Sequence, residues 1–269
     1  MPDSDLPVDE LTTGQRIGHR LSFWWHWLRG RDYAMTVPMF GQPVTLVIST
    51  SRELKRAAEV SYEGFFLQRI LSSLRAGDVF FDVGANIGLV SLIVARQPQF
   101  KGGTAHAFEP EPRNLEHMKR NVSANGLDGQ IKSHGVALAK EEGTASLFVR
   151  GKAGEGRHSL VSEKGSTGSI EVRLTTMACF CREQGVRPTV IKIDVEGAEG
   201  EVLAGMKDML NDNRPRELFM EIHNKGGEDR MPDDTLIDDW LAERNYERIW
   251  EKRRGHGRHH HYRDRDASQ

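Results

Sequence analysis

Cysteine is nearly absent. Cys179 and Cys181 are the two thiols of the 269-residue chain. They stand too close together for an ordinary disulfide staple, and no second pair exists to complete a C-x-C metal set. The pattern argues against a disulfide-built secreted scaffold, so a reducing, cytoplasmic location is the expectation. Long apolar runs are missing as well, and no stretch is long enough to span a bilayer. The first ten residues, MPDSDLPVDE, are acidic and carry neither the basic nor the apolar region of a secretory signal. Neither sign of charge dominates: 37 Lys and Arg stand against 39 Asp and Glu, a net charge of −2. Nothing global therefore points to nucleic acid. No internal repeat and no long low-complexity linker interrupt the chain.

What is present divides into three stretches. Residues 1–50 read as an N-terminal extension. Within it, RIGHRLSFWWHWLR (16–29) reads as a short helix with Trp24, Trp25 and Trp27 near its end. AMTVPMFGQPVTLVIS reads as two short strands around a turn at residues 40–43. The tryptophans suit a membrane surface, one wall of a substrate pocket, or packing on the main domain. Residues 51–250 read as that domain. A helical pattern runs from residue 51 until Gly77, and strands then alternate with helices. DVFFDVG, TAHAFEP, QIKSHGVAL, TVIKIDV and RELFMEIH are strands; TASLFVR and SIEVRLTTM are further strands split by a polar loop at 151–168. Such alternation argues for an α/β fold with a mostly parallel sheet covered on both faces. Residues 251–269 are basic and histidine-rich. They read as half of a final hairpin, 247–250 against 258–263, before a frayed end, with metal binding by His259, His260 and His261 as the alternative.

One loop carries the first chemistry. FFDVGANIG (80–88) ends a strand, turns at Gly84 and opens a helix near Asn86, whose free amides face any ligand. A dinucleotide site wants G-x-G-x-x-G, with pyrophosphate on those amides. The second close glycine is missing here, and Asp82 stands where a pyrophosphate would be repelled. A ligand with an ammonium group and no phosphate, such as S-adenosylmethionine, meets no such objection. Glu109 ends the next strand, at the place where an acid accepts hydrogen bonds from ribose hydroxyls; NAD and S-adenosylmethionine both carry that ribose. In VIKIDVEGAEGEVLAGM (190–206) a buried strand ends and Asp194, Glu196 and Glu199 follow closely. Such carboxylates are costly unless they bind something, or else they dress a helix N-terminus to suit its dipole.

Together, FFDVGANIG, AFEPEPRNLEHMKRNVSANGL, HSLV, IKIDVEGAEGEVLAGM and FMEIH resemble the FkbM-type S-adenosylmethionine-dependent methyltransferases, over roughly residues 62–249. The resemblance implies a class I methyltransferase (Rossmann-like) fold, a seven-stranded sheet with one antiparallel strand. It implies methyl transfer to oxygen, typically a hydroxyl on a sugar, a glycan or a polyketide-like small molecule. Asp82, Gly84, Ala85 and Asn86 are then expected to cradle the methionine part. Glu109, followed by Pro110, holds the ribose; Val136 and Ala137 flank the adenine; Glu63 is a further candidate contact. The chain departs from the family at Met177-Ala178, where members often carry a Leu-Asp pair.

An alcohol must lose its proton, so a base or a metal helps. Asp194 and His223 end adjacent core strands and are the candidate bases. Asp194 with Glu221 or Asn224 is a candidate Mg²⁺ set. Pure positioning is the third reading. His158 and Ser159 in GEGRHSLV, with Glu196 and Glu199, are candidate contacts to the acceptor, a small molecule or glycan. Competing readings are an NAD-dependent oxidoreductase, an inactive binding module, and a methyltransferase acting on RNA or another nitrogen acceptor. Enzymes of that last kind that act on exocyclic amines usually carry an Asn-Pro-Pro-Tyr-like turn, where this chain has Asp194-Val195-Glu196-Gly197. Oligomeric state is left open.

Overall fold

The computed structural model describes residues 12–51, 54, 64–149, 168–210, 214–223, 234–254 and 257–268. Helix Thr13–Trp27 opens the described chain, capped by Thr12 and Gln15, whose side chains each bond the other's backbone amide. Two antiparallel strands follow, β1 (Tyr33–Met39) and β2 (Gln42–Ile48). Phe40 and Gly41 between them both have positive φ, 51° and 75°, the geometry of a two-residue turn matched to strand twist. Alternate residues Met35, Val37, Val44 and Leu46 point inward and join the same core as the main sheet. Helix Pro112–Ala124 satisfies the hairpin's backbone: Asn121 Oδ1 accepts from the Val47 amide at 2.8 Å, and Asn125 Oδ1 from the Thr45 amide at 2.9 Å. The extension is thus built onto the domain and shares its core.

The main sheet uses β3 (Val79–Val83), β4 (Thr104–Phe108), β5 (Ile131–His134), β9 (Val190–Ile193), β10 (Glu217–His223), β11 (Tyr246–Arg254) and β12 (Gly257–Asp264). Its order is β11-β12-β10-β9-β3-β4-β5. β12 is the one strand of this sheet that runs opposite to the rest. Successive side chains of a strand point to opposite faces, so Phe80 enters one hydrophobic cluster and Phe81 the other. This is the Rossmann-like α/β arrangement that the alternating pattern and the resemblance imply. Strand order reverses between β3 and β9, and a ligand cleft is expected outside the carboxyl ends of those two strands.

Three local differences have physical causes. QIKSHGVAL does not form one strand. It breaks at Gly135, where a side chain would meet Leu115 at 2.7 Å, and its second part, β6 (Ala137–Leu138), pairs elsewhere. That second sheet has the order β6-β8-β7, with β7 (Gly143–Val149) and β8 (Gly168–Thr175) antiparallel. SIEVRLTTM stops at Thr175, because the Thr176 side chain caps an unexpected helix, Met177–Gln184, by accepting from the Cys179 amide at 3.0 Å. Cys179 and Cys181 are buried in this helix. Lastly, residue 250, the expected end of the domain, lies inside β11, and the histidine-rich stretch supplies an interior strand. His261 meets Glu217 at 2.8 Å, and His260 meets the Tyr262 hydroxyl at 2.8 Å. Among the described residues, no helix is long and apolar enough to cross a membrane.

Candidate active site

A cleft opens where the order of the sheet reverses. Val83, Gly84, Asn86, Glu109, Asp194 and Glu196 are among the residues that line it. The space between these residues, open solvent at its mouth included, is about 750 Å³. Gly84 has φ +77°, and a Cβ there would sit 1.8 Å from the Asp194 carbonyl oxygen. Only glycine allows these two strand ends to approach so closely. The Gly84 and Ala85 amides both donate to the Phe108 carbonyl, at 3.1 and 2.9 Å. The loop is thereby pinned to the next strand.

Glu109 is held in turn by backbone amides. Asn86 N donates to Oε2 at 2.8 Å and Glu111 N to Oε1 at 3.0 Å. Each oxygen keeps acceptor capacity for a hydroxyl. Burial pushes the carboxyl up to about 7, and the two amides offset only part of that rise. Asn86 has φ +53°, and its Oδ1 is buried with no hydrogen-bond partner among the described residues. An acceptor lacking a donor on the wall of a cleft suits an incoming ammonium group. Val136, Ala137, Leu138 and Leu147 supply an apolar wall, and Pro110 and Asn114 stand beside Glu109. These features fit S-adenosylmethionine: an acceptor for its ammonium, a carboxylate for its ribose and an apolar slot for its adenine.

Asp82 stands elsewhere. It is fully buried and lies outside the cleft lining. Its Oδ2 accepts from the Ser91 amide and hydroxyl at 3.1 and 2.8 Å, and its Oδ1 faces Lys192 Nζ at 3.1 Å. Paired with this lysine and turned from the cleft, Asp82 does not stand where it would repel a pyrophosphate. Ala85 is buried and does not line the cleft either. Lys192 escaped the sequence reading. It also donates to the Gly84 carbonyl at 3.1 Å and lies 3.6 Å from Asp194 Oδ2. The available signal was a lysine inside an otherwise apolar strand, VIKI, level with Asp82 on the neighbouring strand.

The second cluster adjoins the cleft at Asp194 and Glu196. His223 Nδ1 bonds Glu199 Oε1 at 2.8 Å. Its Nε2 faces Glu221 at 3.6 Å, Asp194 at 3.8 Å and Glu196 at 4.0 Å. Burial alone would lower this imidazole, but the Glu199 hydrogen bond and the charges of Asp194, Glu199 and Glu196 outweigh it and raise it to about 9. At neutral pH it is an imidazolium. Glu199 opens helix Glu199–Met206, is buried and also accepts from the Gly197 amide at 3.0 Å. It orients the ring rather than lining the cleft. Glu196 itself has φ +51°, an uncommon conformation for a side-chain-bearing residue. His259 on β12 reaches the far oxygen of Glu221 at 3.1 Å.

Asp194, Glu221 and His223 bring ligand atoms within 4.8 Å of one another. The set does not fit Mg²⁺, which wants a near-octahedral shell of oxygens. The nitrogen among these atoms is a ring nitrogen of His223, and the expected set of Asp194 with Glu221 or Asn224 rests partly on a residue outside the described ones. Glu63, His158, Ser159 and Asn224 lie outside the described residues.

The sequence profile described as "Methyltransferase FkbM domain" matches residues 82–248, more than half of the chain. The 31-O-demethyl-FK506 methyltransferase FkbM of Streptomyces tacrolimicus is 29% identical over 181 residues, covering 57% of this chain and 68% of its own. The hexuronic acid methyltransferase AglP of Haloferax volcanii is 26% identical over 202 residues, covering 73% and 79%. The crystal structure of a methyltransferase FkbM from Methylobacillus flagellatus aligns with a TM-score of 0.47 at 14% identity, over 80% of this chain and 56% of that one.

Proposed function

The chain belongs to the FkbM methyltransferase family, and from that premise we propose that it transfers a methyl group from S-adenosylmethionine to a hydroxyl oxygen of a small-molecule or glycan acceptor. The observation that carries the reading is the position of Asp194. It lines the cofactor-type cleft and also faces His223 in the carboxylate–imidazole cluster, so a place for the cofactor and a place for proton handling share one residue. S-adenosylmethionine supplies a methyl group already activated on a sulfonium. The protein has mainly to hold the acceptor oxygen close and in line, and to take its proton.

With His223 already protonated at neutral pH, the proton acceptor in this reading is Asp194. His223, oriented by Glu199, sets its ring beside the carboxylates of Asp194, Glu196 and Glu221. Asn86 receives the ammonium group, Glu109 the ribose, and Val136, Ala137 and Leu147 flank the adenine. The names of two relatives, a 31-O-demethyl-FK506 methyltransferase and a hexuronic acid methyltransferase, support an oxygen acceptor on a small molecule or sugar, and the first supports a hydroxyl.

Calorimetric titration with S-adenosylhomocysteine, with NADH alongside, tests the cofactor. Binding of the first and not the second is expected; the reverse sinks the reading. For the chemistry, Asp194→Asn is expected to bind S-adenosylhomocysteine and yet lose about a hundredfold or more in turnover. A variant that turns over normally removes Asp194 as the base.

A further inference from the structure

Helix Thr13–Trp27 uses one face to hold the protein and leaves the other bare. The holding face is polar and aromatic. Phe23 is buried, His19 Nδ1 meets the Tyr33 hydroxyl at 2.6 Å, and the His26 ring lies against Tyr33. On the outer face, Ile17, Leu21, Trp24 and Leu28 recur at intervals of four, three and four, with Trp25 and Trp27 beside them. All six are exposed, from 48% for Trp24 to 76% for Leu28. Trp24 and Trp27 meet edge to face at 5.3 Å, and the Arg29 guanidinium sits 3.6 Å from the centre of the Trp25 ring. Packing on the domain, one of the sequence-based readings of this helix, therefore accounts for Phe23 and its two histidine neighbours and leaves the tryptophans unexplained.

We propose that this helix docks the protein on the surface of an anionic lipid bilayer, lying in the interface with its apolar stripe inserted. Charge selects the occupant. Between residues 12 and 31 the chain carries Arg16, Arg20, Arg29 and Arg31 and no acidic residue, in a protein whose net charge is −2. An apolar stripe rich in tryptophan and bordered by arginine is the composition that settles at the boundary between headgroups and acyl chains. A second copy suits the face poorly. A two-fold pair sets the same patch against itself, and the arginines of one copy would meet those of the other with no acid on this helix to pair them. Asp3, Asp5, Asp9 and Glu10 precede the helix in sequence, so insertion of the apolar stripe has to supply part of the affinity.

The test is co-sedimentation of the full chain with phosphatidylcholine vesicles, with and without phosphatidylglycerol. Tryptophan emission reports insertion, since three of the five tryptophans lie in this helix. The wild-type chain is expected to sediment with the anionic vesicles, shift its emission to the blue, and release in high salt. Each arginine near such a surface is worth roughly fivefold in partitioning, so Arg20→Glu with Arg29→Glu is expected to weaken binding by more than tenfold. Leu21→Glu with Trp24→Glu is expected to abolish insertion while still binding S-adenosylhomocysteine, which shows that the fold survives. Failure of the wild-type chain to bind anionic vesicles overturns the proposal, and so does equal binding by these variants. A wild-type dimer that Leu21→Glu and Trp24→Glu convert to a monomer, without vesicle binding, overturns it in favour of self-association.

Discussion

Replacing Lys192 by methionine keeps the length of the side chain and removes its charge. Asp82 would keep the Ser91 amide and hydroxyl and lose the cation 3.1 Å from its other oxygen. The carboxylate has no solvent exposure and Lys192 about 4%, so water cannot take the ammonium's place. Removing one member of a buried ion pair costs about 3–5 kcal/mol, because the other charge stays behind unpaired. For a chain of this size that lowers the melting temperature by roughly 10 °C. The same source of cost predicts its cure. Asp82→Asn combined with Lys192→Met leaves no unpaired charge in the core, Asp194 being part-exposed and still facing His223, and should regain most of the loss, since a whole buried pair contributes little net stability. Urea unfolding of wild type, single and double variants reads this as a shift of midpoint at constant slope. A loss below about 1 kcal/mol for Lys192→Met, or a double variant no better than the single, would refute the account of Lys192 as the neutralising partner.

Gly84→Ala should abolish cofactor binding and cost stability, because its Cβ would lie 1.8 Å from a backbone oxygen at a left-handed φ; calorimetry with S-adenosylhomocysteine checks the first effect and urea unfolding the second. The raised His223 pKa makes its contribution to stability complete below about 6.5 and lost as pH rises through about 9. The difference in unfolding midpoint between wild type and His223→Gln should therefore be full at pH 6 and gone well above pH 9. Glu199→Gln should return the His223 titration toward its ordinary value, which NMR of the imidazole resolves. Glu109, raised to about 7 by burial, is a better acceptor when ionised, so S-adenosylhomocysteine affinity should rise as pH increases through that value, and Glu109→Gln should remove the slope.

Much of this was legible along the chain, for identifiable reasons. The strands ending in Val83, Phe108, Ile193 and His223 are apolar runs closed by glycine, acid or histidine, and such punctuation survives without tertiary information. Gly84, Asn86, Glu109 and Asp194 stand together because a parallel sheet brings its strand ends to one side. The direction of a side chain is harder to see. Asp82 and Gly84 are two residues apart, yet one points into the core and the other faces the cleft. Lys192 becomes meaningful only once β9 lies beside β3, a pairing across more than a hundred residues. The helix over Met177–Gln184 was hidden because a threonine–threonine pair reads as strand, while the Thr176 side chain ends the strand by capping. The histidines of β12 read correctly as the second strand of a final hairpin, but nothing local shows that Glu217 and Glu221 meet them on β10.

The position of β12 also sets a schedule. It is the last strand in sequence and an interior strand in space, seated between β10 and β11. On a chain made from its N-terminus, β10 has one neighbour, β9, and an open edge until residues 257–264 emerge. His223 ends that strand, and the Glu221 beside it meets His259 on the late arrival. Assembly of the carboxylate–imidazole cluster therefore waits for residues 257–264, whereas the glycine loop and Glu109 belong to the earlier-made part.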